Sequence, residues 1–204
     1  MRYILDTYIR AEDTKVVSEL GNMSLVELLL QGKTTTPADL VKDLPGNNEA
    51  KAETIDNNLQ HEIVKKMSSN SVYYGKLSEM LKKIILQRKI EAMSYEEYLR
   101  QVVELAEAIL HPENSGSYPD GIKDSAARRA LYDHFEANFE LTIDVDGAIR
   151  VSIRPEWKRN FQKQQRIRLA IYQKLLLHSY SEDKATEETQ NVFDIAQRQE
   201  EYDV

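Results

Sequence analysis

Apolar residues recur at intervals of three or four along most of the chain, and this spacing limits its fold more than any other feature. Asn47–Met67 is the clearest example. There Ile55, Leu59 and Ile63 step by four positions, which places them on one face of an α-helix. The same periodicity predicts further helices at Leu77–Ile90, Ser94–Ile109, Ser125–Phe135 and Asn160–His178. Seven glycines and five prolines are few for the many tight turns of an all-β protein. We therefore predict a mainly α, multi-helix domain.

Residues 139–153 allow two interpretations. Their apolar residues alternate on both sides of Asp146-Gly147, a pattern typical of a β-hairpin. A single helical face also fits the segment and contains Leu141, Val145, Ala148, Ile149 and Ser152. The many β-branched residues make this helix intrinsically poor. We favour the helix because burial can override propensity, and a small hairpin stays open as the alternative.

The composition excludes several classes of protein. No cysteine is present, which excludes a disulfide scaffold, a thiolate zinc site and a cysteine nucleophile. No apolar run approaches the roughly 20 residues of a membrane span, and the N-terminus has no signal-peptide pattern. A chain of 204 residues can form one or two domains. We expect a cytoplasmic protein with no membrane partner.

Charge is very unevenly distributed. The formal net charge is −7, and residues 181–204 alone hold eight acidic and two basic side chains. We predict a helical domain over residues 1–180 and a flexible acidic tail over 181–204, because the tail has few apolar residues. By contrast, Arg150–Lys174 holds eight basic residues and one acidic residue, with Trp157, Phe161 and Tyr172 between them.

Basic residues interleaved with aromatic residues suit contact with a nucleic-acid backbone, because each neutralised phosphate releases counterions. The alternative is a solvated helix face whose aromatic residues point inward. The candidate DNA-binding residues are Lys158, Arg159, Lys163, Arg166 and Arg168.

The sequence contains no convincing catalytic constellation. Gly32-Lys33-Thr34 resembles the end of a phosphate-binding loop, but Glu27 occupies the position of its first glycine. Asp120, Glu156 and Lys158 imitate the two carboxylates and the lysine of a Mg²⁺-dependent nuclease, in which the metal activates water. The four histidines lie far apart and lack metal-ligand spacing. We expect no catalytic residue, metal or cofactor, and keep the small nuclease as an alternative.

Several short blocks of sequence, taken in order, carry a resemblance to a known protein family. These blocks are Tyr8–Thr14, Ser18–Leu29, Lys51–Asn58, Tyr73-Tyr74, Leu77–Leu81, Ile85, Arg88, Tyr95–Leu99, Tyr118-Pro119, Arg129–Asp133 and Ala170–Tyr172. Together they resemble the C-terminal region of the R (motor) subunit of type I restriction enzymes. The resemblance covers Tyr3 to Leu177. One departure is at Trp157, which the family typically follows with Arg-Gly-Asn and this chain follows with Lys158-Arg159-Asn160.

The resemblance implies a mostly helical assembly module without catalytic activity. In the family this region is associated with docking the motor onto the methyltransferase–specificity core and with contacting DNA. The parent protein is expected to be a site-specific deoxyribonuclease that translocates DNA with ATP, with the ATP and Mg²⁺ sites in other domains. This chain would then be an excised domain. A general helical protein-interaction domain, unrelated to restriction, is the other alternative.

Overall fold

The structure is a computed structural model that describes Leu44 and residues 46–203. In that part of the chain the backbone forms seven α-helices and three short 3-10 helices, and no β-strand. The α-helices are α1 (Asn48–Lys66), α2 (Ser71–Lys89), α3 (Tyr95–Leu110), α4 (Ala126–His134), α5 (Phe139–Ser152), α6 (Phe161–Leu177) and α7 (Glu182–Arg198). The 3-10 helices are Pro112–Asn114, Trp157–Arg159 and Glu200–Tyr202. The prediction of a mainly α, multi-helix fold is confirmed. The phosphate-binding-loop candidate at Gly32-Lys33-Thr34 lies outside the described residues.

Polar residues cap the first three helices. The side-chain oxygens of Asn47, Asn70 and Ser94 accept hydrogen bonds from backbone N–H groups in the first turns of α1, α2 and α3, respectively. The distances are 2.9, 3.0 and 3.2 Å. Such caps satisfy N–H groups that have no partner within the helix. The Ser94 start was predicted from sequence, and α1 lies within the predicted range. The second helix begins six residues before Leu77, because Asn70 caps it there.

Helices α1, α2 and α3 form a first bundle around aliphatic side chains. Ile55, Leu59 and Ile63 of α1 are fully buried, as their spacing predicted. They pack with Leu81 of α2 and Val102 of α3 in one continuous cluster. Removing such side chains from water supplies most of the free energy that holds the helices together.

Helices α4 to α7 form a second bundle. Its core contains Leu131 of α4, Val145 of α5, Ile171 of α6 and Phe193 of α7, together with Trp157 from the connection before α6. The two bundles meet through α2 and α4. Across that contact the side-chain amide of Asn70 donates to Asp133 at 2.6 Å.

Residues 139–152 are helical, and the described chain contains no hairpin there. Leu141, Val145 and Ile149 are 0–1% exposed and share one face of α5. Asn138 caps the helix by accepting the Leu141 N–H at 3.1 Å. Burial of this face outweighs the low helix propensity of the β-branched residues.

The expectation of a flexible acidic tail, separate from a domain that ends at residue 180, is wrong. Residues 182–198 form α7, and Val192, Phe193 and Ala196 are fully buried in the second bundle. Tyr202 is 1% exposed. The apolar residues of this segment are few, but they lie at helical spacing, so a narrow stripe is enough to pack the helix against α6.

None of the described helices is long and apolar enough to cross a membrane.

Candidate nucleic-acid interface

Trp157 anchors the connection that carries the first candidate DNA-binding residues. Its side chain is 1% exposed and packs edge-on against Phe193, with ring centroids 5.8 Å apart. Its indole N–H donates to the backbone carbonyl of Tyr202 at 2.8 Å. A buried aromatic ring with a satisfied N–H fixes the local backbone. The next two residues, Lys158 and Arg159, therefore have defined positions beside the bundle.

The first turn of α6 folds back onto this connection. Lys163 donates from Nζ to the carbonyl of Pro155 at 2.7 Å, and the side-chain amide of Gln164 donates to the carbonyl of Lys158 at 2.8 Å. Asn160 caps α6 by accepting the N–H of Lys163 at 3.1 Å. These contacts bring Lys158, Arg159 and Lys163 together at the N-terminal end of α6.

At the N-terminal end of α6, two of the predicted arginines are free to contact a partner. Arg159 and Arg166 are exposed, and neither has an ion-pair partner among the described residues. Arg166 lies three positions after Lys163, a spacing that puts two helical residues on neighbouring positions of the surface. Arg159, Lys163 and Arg166 define what we call the basic end of α6.

Arg168 lies apart from the basic end. At 100° per residue, it is about 200° around the helix from Arg166. Its guanidinium lies 3.7 Å from the ring centroid of Phe193 and donates to the side chain of Gln190, so it packs against α7. A guanidinium over an aromatic face is a favourable structural contact. The structure thus separates Arg168 from the other four candidates.

Lys158 is at the basic end but is already paired. Its Nζ forms an ion pair with the carboxylate of Asp203 and donates to the carbonyl of Gln199 at 3.1 Å. Its side chain remains 29% exposed. The ion pair joins the basic segment to the acidic residues at the end of the chain.

Other basic side chains of residues 150–174 also pair with acidic side chains of this chain. Arg150 pairs with Asp146 of its own helix and with Glu201 at 3.0 Å. Lys174 lies 3.8 Å from Asp144. The uneven charge of the sequence is therefore partly compensated in the fold, and the net positive surface that remains is smaller than the whole segment.

The Arg150–Glu201 pair belongs to a larger polar cluster that positions the end of the chain. Burial by itself would raise the pKa of Glu201. Hydrogen bonds from Ser125, Arg150 and the amide N–H of Ala126 outweigh it and lower that pKa below 4.5. Burial also raises the pKa of Tyr202 well above 10.0. A charged Glu201 and a neutral Tyr202 are the forms that fit this cluster.

The backbone after Trp157 accommodates Lys158 and Arg159 without strain at either residue. Arg159 lies in a 3-10 helix and is not among the residues with positive φ. The left-handed residue of this connection is Glu156, with φ of 61°. The backbone therefore has no need of a glycine at position 159, and a charged side chain there projects into solvent.

The structure does not bring the nuclease candidates into one contact. Asp120 is 94% exposed and pairs with Lys123 at 2.7 Å, whereas Lys158 pairs with Asp203. Within the described ranges, no group of three or more His, Asp or Glu side chains could hold a metal ion. Asp120 and Lys158 therefore each pair with a residue outside the nuclease candidate set.

Sequence reasoning missed the residues at the end of the chain that shape this surface, namely Gln199, Glu201, Tyr202 and Asp203. The helical spacing of Val192, Phe193 and Ala196 was the one signal that could have found them, since it predicts a helix that carries the following residues onto the bundle.

No protein-family model matches the chain, and no match was found among curated proteins or solved structures.

Proposed function

We propose that this chain is a non-catalytic helical assembly module that contacts the backbone of DNA through the basic end of α6. The observation that carries the proposal is the cluster of Arg159, Lys163 and Arg166, in which both arginines are exposed and none of the three has an acidic partner among the described residues. Phosphate contacts of this kind position a protein on DNA without reading its sequence.

Local features support a phosphate partner for this cluster. The first turn of α6 contains no acidic residue, so the partial positive charge of the helix N-terminus adds to that of the side chains. Exposed guanidinium groups can bind phosphate oxygens in a bidentate manner. Contacts of this kind go to the phosphate backbone, and non-specific binding is therefore the expected mode.

The second half of the proposal rests on the sequence resemblance. By that resemblance, the module docks the ATP-dependent motor and endonuclease of a type I restriction enzyme onto its methyltransferase and specificity subunits, in the cytoplasm. The ATP and Mg²⁺ chemistry then belongs to other domains of the parent. A bundle that leaves Leu86, Ile90 and Val64 more than half exposed has apolar surface suited to such a partner.

DNA contact is tested by charge reversal. The variant Arg159→Glu, Lys163→Glu, Arg166→Glu is compared with wild type for binding to a labelled duplex across a range of salt concentrations. We expect weaker binding. The negative slope of log K against log salt should become less steep by about 2–3. The matched control is Lys76→Glu, Lys83→Glu, Lys89→Glu on α2, which changes the net charge equally at other exposed positions. Equal losses in both triple variants would contradict a localised interface.

Docking is tested by a pull-down of the methyltransferase–specificity complex encoded in the same genome, with the full chain as bait. Retention of that complex, and its loss with unfolded bait, is the expected result. Failure to retain it, while duplex binding persists, would remove the restriction-enzyme assignment and leave a general DNA-contacting helical domain. Incubation with supercoiled plasmid and Mg²⁺ completes the test, since nicking would favour the nuclease alternative.

A further inference from the structure

A shallow depression beside the basic end of α6 is lined by two basic and two acidic side chains around Trp157. Its volume is about 190 Å³, and it is lined by Glu156, Trp157, Lys158, Arg159 and Asp203. The Asp203 carboxylate forms its ion pair with Lys158 at this depression. Arg159, on the same wall, has no acidic partner among the described residues.

We propose that Asp203 is an internal competitor for the nucleic-acid backbone, with its carboxylate held where a phosphate group binds Lys158. This inference rests on the proposed function and adds a regulation of the same surface. In the closed arrangement Lys158 is neutralised by Asp203. In the open arrangement the Asp203 side chain turns away and Lys158 joins Arg159 and Lys163 on one phosphate tract.

The ion pair is weak enough to be displaced. The side chains of Lys158 and Asp203 are 29% and 56% exposed. Pairs between solvent-exposed charges contribute little to stability and are screened by salt. A phosphate that also contacts Arg159 brings a second charged partner, so it can replace the single carboxylate.

The backbone around Asp203 keeps the competitor close to its target. Tyr202 is 1% exposed, and its carbonyl accepts the indole N–H of Trp157. Glu201 accepts hydrogen bonds from Ser125 and from the N–H of Ala126. Because these contacts do not involve the Asp203 side chain, it can rotate into solvent without unfolding the turn. A tethered carboxylate has a high effective concentration at Lys158.

The decisive variant is Asp203→Asn, which removes the competing charge and keeps the shape of the side chain. Binding of the full chain to a fluorescein-labelled duplex is measured by anisotropy from low to physiological salt. We expect affinity at low salt to rise by about two- to fivefold, the range that corresponds to an exposed ion pair of up to about 1 kcal/mol. The salt slope should steepen by about 0.9, which is one additional phosphate contact.

Two further variants separate the pair from a general charge effect. Glu200→Gln removes the same charge from an exposed residue three positions before Asp203, and the Glu200 side chain has no partner among the described residues. A gain equal to that of Asp203→Asn would overturn the proposal. Adding Lys158→Gln to Asp203→Asn should abolish the gain, and a gain that persists would also overturn it.

The outcomes distinguish this inference from the proposed function. If the wild type binds the duplex and Asp203→Asn binds it with the same affinity, the competitor proposal is wrong and the proposed DNA interface is unaffected. No duplex binding by any variant, even at low salt, overturns both.

Discussion

The hydroxyl of Tyr202 donates a 2.8 Å hydrogen bond to Oδ1 of Asp146, although 56 residues separate the two in sequence. Asp146 is fully buried and Tyr202 is 1% exposed. The same carboxylate accepts hydrogen bonds from Arg128 at 2.7 Å and from Arg150 at 2.8 Å. A buried carboxylate is stable only when its oxygens have such partners. The end of the chain therefore completes the polar centre of the second bundle.

Replacing Tyr202 with phenylalanine should destabilise the protein by about 1–3 kcal/mol, because a buried charged acceptor loses one donor. Urea unfolding, followed by the fluorescence of the single tryptophan, measures the change. Tyr172→Phe is the matched control, since Tyr172 is half-buried and forms no hydrogen bond through its hydroxyl among the described residues. Equal effects of the two variants would contradict a stabilising role for the Tyr202–Asp146 bond.

The substitution Gly147→Ala should change thermal stability in opposite directions depending on whether residues 139–152 form a helix or a hairpin. Gly147 is exposed within α5, and a Cβ atom added there meets no atom within 4 Å. Alanine is favoured over glycine in a helix interior by about 1 kcal/mol. We expect the midpoint of thermal unfolding, followed by circular dichroism, to rise by about 2–4 °C. At the turn of a hairpin, alanine would instead lower it.

Gly121→Ala is the control for that experiment. Gly121 has φ of +87°, a conformation that side chains rarely adopt. This substitution should lower the unfolding midpoint. A fall for both variants would mean that residue 147 also needs a left-handed backbone.

The stabilising effect of Glu201 should depend on pH. Its folded-state pKa is lowered because hydrogen bonds from Ser125, Arg150 and the Ala126 N–H outweigh burial. Linkage then makes its stabilisation complete above the unfolded value of 4.5, and the stabilisation is lost as pH falls through the lower folded value. The destabilisation by Glu201→Gln, measured by urea unfolding, should therefore be larger at pH 7 than near pH 3. A difference that does not vary with pH would show that Glu201 acts without its charge.

The first bundle contains a buried ion pair whose effect can be measured by a double-mutant cycle. Arg88 and Asp56 are 9% and 7% exposed, and their side chains are joined by a 2.8 Å contact. Arg88 also lies over the ring of Tyr98, 5.3 Å from its centroid. Arg88→Met should destabilise the protein by about 3–5 kcal/mol, because it leaves a buried carboxylate without its cation.

The double variant Arg88→Met, Asp56→Leu should be less destabilising than the sum of the two single variants, since no buried charge is then left unpaired. Glu49, the other partner of Arg88, is 60% exposed. Urea unfolding of all four proteins provides the coupling energy. Strictly additive effects would mean that the two charges do not stabilise each other.

Local patterns were enough to predict α1, α3, α4 and α6, because cap residues and apolar spacing agree there. They were not enough for α5, whose β-branched residues fit a strand equally well. The helix at 139–152 follows from the burial of Leu141, Val145 and Ile149 against neighbouring helices. Periodicity in a short segment does not contain that information.

The candidate site, too, could be predicted from the sequence only in part. Its residue types and their clustering in 150–174 were visible in the sequence, whereas the partners that occupy Lys158 and Arg168 come from α7 and the residues after it. Those partners lie 22 to 45 positions away. Local sequence does not indicate which charges will be paired, because pairing depends on how α7 packs against α6.

By itself, the sequence determined a helical protein without cysteine, with a basic segment and an acidic end, because helical periodicity and charge are properties of neighbouring residues. Only the tertiary structure decided that the acidic end is a packed helix and that it neutralises part of the basic segment. The physical reason is that burial of a narrow apolar stripe and pairing of distant charges become favourable together, once α7 is in place against the second bundle.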